Sequence, residues 1–253
     1  MKKTFLFALV ALAAASIVSA ETVLPTRAIL PVAGSVQGAF NSHFRTELQL
    51  NNRSEQTMKG MIVFHPIGQS ASSSDPMVHF ELAPHQTLAY GDVVGMFGVA
   101  GLGSVEIISE KKGLPTAVAR AFDDGGGVDG TKGTVIPAIR PDEALQSGQS
   151  ASLIVPMDLT RYRFNVGIRT IGSGAALKVI VFGANGIERK RFDLFYPAEY
   201  LIQTAADALV GEPLLANETL VFQVEGGAAI VYGTTTDNTT NDPSIQVAVR
   251  PEE

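Results

Sequence analysis

Beyond its first twenty residues the chain is a succession of short runs in which apolar and polar positions alternate. In Phe44, Thr46, Leu48 and Leu50 every second side chain falls on one face, and the same holds for Leu177, Val179 and Val181. A period of two belongs to a strand with one face buried. The runs are rich in β-branched and aromatic residues and are bounded by Gly, Pro, Asn and Ser, the residues of tight turns. Seven or eight such closely spaced runs in each half of the chain predict an antiparallel β-sandwich rather than an α/β sheet. Only one short helical segment is expected in each half, Asp92 to Phe97 and Ala205 to Val210, each stopped by a glycine (Gly98 and Gly211).

The two halves carry the same landmarks in the same order. Phe44-Arg45-Thr46-Glu47-Leu48-Gln49-Leu50 leads through a polar turn into Met61-Ile62-Val63-Phe64. Phe164-Asn165-Val166-Gly167-Ile168-Arg169 leads through Gly172-Ser173-Gly174 into Val179-Ile180-Val181-Phe182. Val105-Glu106-Ile107-Ile108 is then matched by Leu220-Val221-Phe222-Gln223-Val224, and Ala117 to Asp124 by Ile230 to Asp237. Ile136-Pro137-Ala138-Ile139-Arg140-Pro141 is matched by Val247-Ala248-Val249-Arg250-Pro251. So ordered a correspondence predicts a tandem duplication of immunoglobulin-like antiparallel sandwiches, each with one short crossover helix. The expected boundaries are a leader at 1–20, a first repeat at 21–141, a linker at 142–150 and a second repeat at 151–253. Pro137, Pro141 and Pro251 beside the closing strands suit sheet edges, which proline protects from stray pairing. The chain has neither cysteine nor tryptophan, so the disulfide and core tryptophan of antibody domains are absent and the likeness is architectural.

The first repeat resembles secreted bacterial proteins built from tandem immunoglobulin-like repeats. The resemblance rests on Leu30-Pro31, Phe44-Arg45-Thr46, Leu48, Leu50, Asn52, Val63-Phe64, Pro66, Gly68, Leu82-Ala83-Pro84, Asp92-Val93, Phe97-Gly98 and Ile136-Pro137-Ala138. The second repeat follows the pattern more faintly, without the Phe-Arg-Thr and Leu-Ala-Pro forms. The resemblance implies an exported sandwich module and supplies no catalytic residue.

Composition adds the compartment. Lys2 and Lys3 precede an apolar run from Phe5 to Val18, and Val18-Ser19-Ala20 places small residues where a signal peptidase reads. The run is short for a membrane span, and no span is expected after cleavage. Export to the periplasm or the cell exterior follows. Loss of the two lysines takes the formal charge from −6 to −8, which disfavours nucleic acid and anionic lipid as partners. Without cysteine, thiol catalysis, disulfides and Cys-ligated metals are excluded.

Candidate chemistry is sparse. The acidic loop Asp123-Asp124-Gly125-Gly126-Gly127-Val128-Asp129-Gly130 and its counterpart Asp237-Asn238-Thr239-Thr240-Asn241-Asp242 offer oxygen ligands. Asp123, Asp124, Asp129, Asp237 and Asp242 are therefore the candidate metal ligands, with calcium the one cofactor considered. Hairpin tips explain the same composition, because Asp, Asn and Gly tolerate positive φ. Gly125, Gly127 and Gly130 match G-x-G-x-x-G, but no helix or βαβ unit follows. His43, His65, His79 and His85 all fall in the first repeat, with no zinc-binding spacing, and are expected on the surface. No G-x-S-x-G elbow marks a nucleophile. Tyr196 and Tyr200 are candidate ligand-binding residues, since aromatic faces on a sandwich can stack against sugar rings; core or boundary packing is the more ordinary account of them. The expected role is a non-enzymatic exported structural, adhesion or accessory module with a protein or glycan partner at the cell envelope. A carbohydrate- or calcium-dependent binding protein is the alternative.

Overall fold

The structure is a computed structural model that describes residues 26–111, 113–125 and 132–248. It is all-β, with every strand pairing antiparallel. The first sheet holds β1 (Thr26–Gln37), β2 (His43–Asn51), β3 (Met58–Pro66), β4 (Met77–Leu82), β5 (Thr87–Tyr90), β6 (Gly101–Ser109), β7 (Thr116–Asp123) and β8 (Lys132–Ile136). Its order is β4-β3-β6-β1-β2-β7-β8, with β5 also on β2. The second holds β9 (Leu145–Gln146), β10 (Ser150–Ile154), β11 (Tyr162–Phe182), β12 (Glu188–Tyr196), β13 (Leu201–Ala205), β14 (Thr219–Asp237) and β15 (Pro243–Val247). Its central order is β10-β14-β11-β12, with β13 on β11 and both β9 and β15 on β14.

β1 pairs β6 along most of its length and reaches β2 through Ser35, Val36 and Gln37, so one strand links the two parts of the sheet. In the second half two long strands make the same passage. β11 bends at Gly172 and Gly174, both at positive φ, where its register against β14 shifts. Opposite them lies Gly227, at φ 74°, where a Cβ would sit 1.9 Å from the Gly174 carbonyl oxygen. Only glycine accommodates both that conformation and that contact.

The pairing scheme recurs between the sheets. β2 pairs β5 and β7, as the first part of β11 pairs β13 and the last part of β14. β3 pairs β4 and β6, as the last part of β11 pairs β12 and the first part of β14. The expected short helices are a single 3-10 turn at Gly95–Phe97 and α1 (Ala206–Val210), closed by Gly98 and Gly211 in the left-handed conformation.

Apolar side chains gather in one large buried cluster in each half. Leu48, Leu50 and Ala119 oppose Ile62, Phe64, Val105 and Ile107 in the first half, all buried; Val166, Ile168 and Val231 join Leu177, Val179 and Phe222 in the second. Burial of each large side chain contributes about 1.5–3 kcal/mol. A third cluster, of Ile29, Ile139, Ala144, Ile171, Ala228 and Ile230, draws on both halves. The stretch from Asp142 to Ser150 departs from the expected linker: Ala144 and Leu145 are buried, and β9 pairs with Ala228 and Ala229. Two apolar residues are enough to dock it, while its Ser, Gly and Gln form the turns on either side.

Candidate functional site

Where the halves meet, a set of charged side chains is buried. Arg169 on β11 is fully covered. Its guanidinium donates to Glu106 Oε1 of β6 at 2.7 Å, to Glu199 Oε2 at 2.8 Å, to Ser104 Oγ at 2.9 Å and to the Thr170 carbonyl. Arg27 of β1 reaches the other oxygens of the same carboxylates, Glu199 Oε1 at 2.9 Å and Glu106 Oε2 at 3.4 Å. Glu199 sits at φ 47° in the loop after β12 and also accepts the Gly172 amide. Backbone bonds continue the seam, from the Gly68 amide to the Leu201 carbonyl and from the Ala71 amide to the Glu199 carbonyl.

His65 closes this cluster from β3. Its Nδ1 lies 2.6 Å from Asp75 Oδ2, which also accepts the Ser72 amide. Its Nε2 is 3.7 Å from Glu106 Oε1, too far for a hydrogen bond but close enough for attraction between charges. Burial opposes the imidazolium, yet Glu106 and Asp75 outweigh it and raise the His65 pKa above its ordinary 6.5. Burial likewise opposes the Glu106 carboxylate, and His65, Arg27 and Arg169 together hold its pKa below the ordinary 4.5. The surface position expected of the histidines holds for His79 and His85 and fails for His65, which is 7 % exposed. The Asp75–His65 pair has the geometry that orients a general base, but both ring nitrogens face carboxylates and the ring is enclosed. The arrangement can bind the halves together; it presents no base to a substrate.

The acidic loops are built as turns. Asp123 Oδ1 accepts the amides of His43 and Gly125, and Asp237 Oδ1 accepts those of Thr239 and Thr240. Asp237 Oδ2 takes Arg161 Nε at 2.9 Å. Arg161 first, then the two amides, hold the Asp237 carboxyl down at about 2. Asp124 pairs with Arg45 at 3.0 Å, and Asp242 is exposed beside the hairpin. Asp129 lies outside the described residues. Among the described residues no group of three His, Cys, Asp or Glu side chains is close enough to share a metal ion.

Tyr196 and Tyr200 are brought together: their rings stack at 5.8 Å and 9°. Burial, and then the neighbouring Tyr200, push the Tyr196 phenol up. Each ring thus covers a face of the other. The adjacent Phe195, on the outer face of β12 opposite Ala176, is largely exposed, a feature missed in the sequence although the alternation of β12 points it outward.

A rim of exposed apolar side chains also escaped the sequence reading. Ile154, Met157, Ile187 and Leu215 are 58–77 % exposed. Ile154 pairs with Thr219, Thr219 with Phe182, and Phe182 with Glu188, so the strand ends carrying this rim stand side by side. Arg189 ties the neighbouring loop down through Glu212 and Glu218, and Glu218 accepts the Leu215 amide. Among the described residues no helix is long and apolar enough to cross a membrane. No protein-family description and no curated protein matches the chain.

Proposed function

We propose that the protein is a non-enzymatic exported module of the cell envelope: two tandem immunoglobulin-like sandwiches, held as one frame, that act through their surface. The observation that carries this reading is the rim of Ile154, Met157, Ile187 and Leu215. Several exposed apolar side chains along one firmly held edge are a feature of interaction surfaces, and loops on a rigid sandwich are where such folds carry function. The charged seam supports the frame, and the leader composition supports export.

Beads coated with the purified protein should be retained on cells of the exporting strain from which the gene has been deleted. Met157→Asp with Ile187→Asp should abolish retention while leaving the melting temperature unchanged. Retention no better than that of bare beads, or recovery of the chain in the cytoplasm with residues 1–20 attached, refutes the reading.

A further inference from the structure

Between the halves, away from the exposed rim, lies a cleft of about 370 Å³. Its size and its place at the junction of two folded units are those of small-molecule sites. The walls differ in character. The first half contributes mostly apolar side chains, with Val32, Val36, Phe44, Leu102 and Ile136 beside two threonines, whereas the second mixes Arg163, Asn165, Gln203 and Thr and Ser hydroxyls with Pro243 and Ile245. Among the described residues Arg163 is the only formally charged one in the lining.

Its guanidinium is held in place by neutral oxygens: the Asp237 carbonyl, Asn238 Oδ1 and Asn241 Oδ1 at 3.0–3.4 Å. The Phe40 ring covers it at 5.5 Å. Phe40 itself belongs to the β1–β2 turn, which Asn241 ties across to the second half through the Phe40 carbonyl. No carboxylate among the described residues lies within ion-pairing distance of Arg163, in contrast to Arg161, Arg169 and Arg189. Gln203 Oε1 accepts the Tyr232 hydroxyl at 3.0 Å, and its amide nitrogen has no partner among the described residues. One wall thus offers a cation in direct ion-pair contact with no carboxylate of the described residues, with Asp123 and Asp237 acting on it only at longer range, and the facing wall offers mostly apolar area.

We infer that this cleft binds a small amphipathic carboxylate, with its carboxylate on Arg163 and its apolar body against Val32, Phe44 and Ile136. Space for about a dozen water-sized groups sets the ligand's scale, which is that of a medium-chain fatty acid. A charge-assisted hydrogen bond to a guanidinium is among the stronger polar contacts, and the seam through Arg169 holds both walls before any ligand arrives. The inference is independent of the surface role proposed above.

Octanoate and 1-octanol serve as probes, titrated into the purified protein by calorimetry. Octanoate should bind more tightly than octanol. Arg163→Gln should weaken octanoate about tenfold, the effect of losing one such contact, and leave octanol unchanged, while Arg163→Lys should keep most of the octanoate affinity. Ala121→Leu, which fills the cleft from β7, should abolish binding of both probes, its melting temperature verifying that it folds. Equal affinity for the two probes, indifference of octanoate to Arg163→Gln, or binding that survives Ala121→Leu each overturns the assignment.

Discussion

Removal of Arg169 is the most informative perturbation of the seam. Its guanidinium touches two carboxylates whose side chains are 4 % (Glu106) and 20 % (Glu199) exposed. Arg169→Leu supplies apolar volume but leaves Glu106 buried, with Arg27 3.4 Å from its second oxygen as the remaining strong cation. Breaking a buried pair from one side costs about 3–5 kcal/mol, because the abandoned charge stays desolvated. For a chain of this size each kcal/mol moves the melting temperature by roughly 2–4 °C, so a fall of about 6–20 °C is expected. Urea unfolding should show the same loss as a shifted midpoint with an unchanged slope. Glu106→Leu combined with Arg169→Leu removes both charges, and its cost should fall well short of the sum of the single costs, by about 0.5–3 kcal/mol of coupling. A single-variant cost below about 1 kcal/mol, or strict additivity in the double variant, would refute the view that this cluster joins the halves.

The same cluster sets a pH dependence. Glu106, lowered in the folded state, adds stability that is complete above about 4.5 and lost as acid titrates it; His65, raised, adds stability complete below about 6.5 and lost as the pH climbs past its folded value. Thermal melts across pH should therefore show these two contributions together between those limits, and His65→Gln should remove the alkaline loss while keeping the acid one. Gly167→Ala should destabilise by several kcal/mol, since its Cβ would fall 2.0 Å from the Tyr232 ring, which is fully buried; chemical denaturation measures this. Asp237→Asn should keep the β14–β15 turn, because an amide oxygen still accepts the Thr239 and Thr240 amides, whereas Asp237→Ala should speed amide exchange there. Calcium at millimolar concentration should leave the melting temperature within error, as Asp123 Oδ1 and both oxygens of Asp237 already serve amides and Arg161; a calcium shift abolished by Asp237→Ala would restore the loops as metal sites.

Strand periodicity alone determined a good deal here. It placed Thr46, Leu48 and Leu50 on one buried face, Leu177, Val179 and Val181 on another, and both helical turns before their closing glycines. Those features depend on neighbours in the chain, and a period of two or a left-handed glycine is a local property. What the sequence could not show is what lies against the opposite face of each strand. Arg169 is out of phase with Val166 and Ile168, Glu106 stands between Val105 and Ile107, and His65 follows Phe64, so each points away from its own half's core and reads as a surface residue. Tyr232 beside Val231 is placed in the same way. Only the docking of one half on the other covers these faces, and that docking turns solvent-facing charges into a buried seam and leaves the Arg163 cleft between its walls. Long-range packing decides the matter because desolvation depends on what comes to cover a side chain, and the covering residues lie 63 positions apart, as for Glu106 and Arg169.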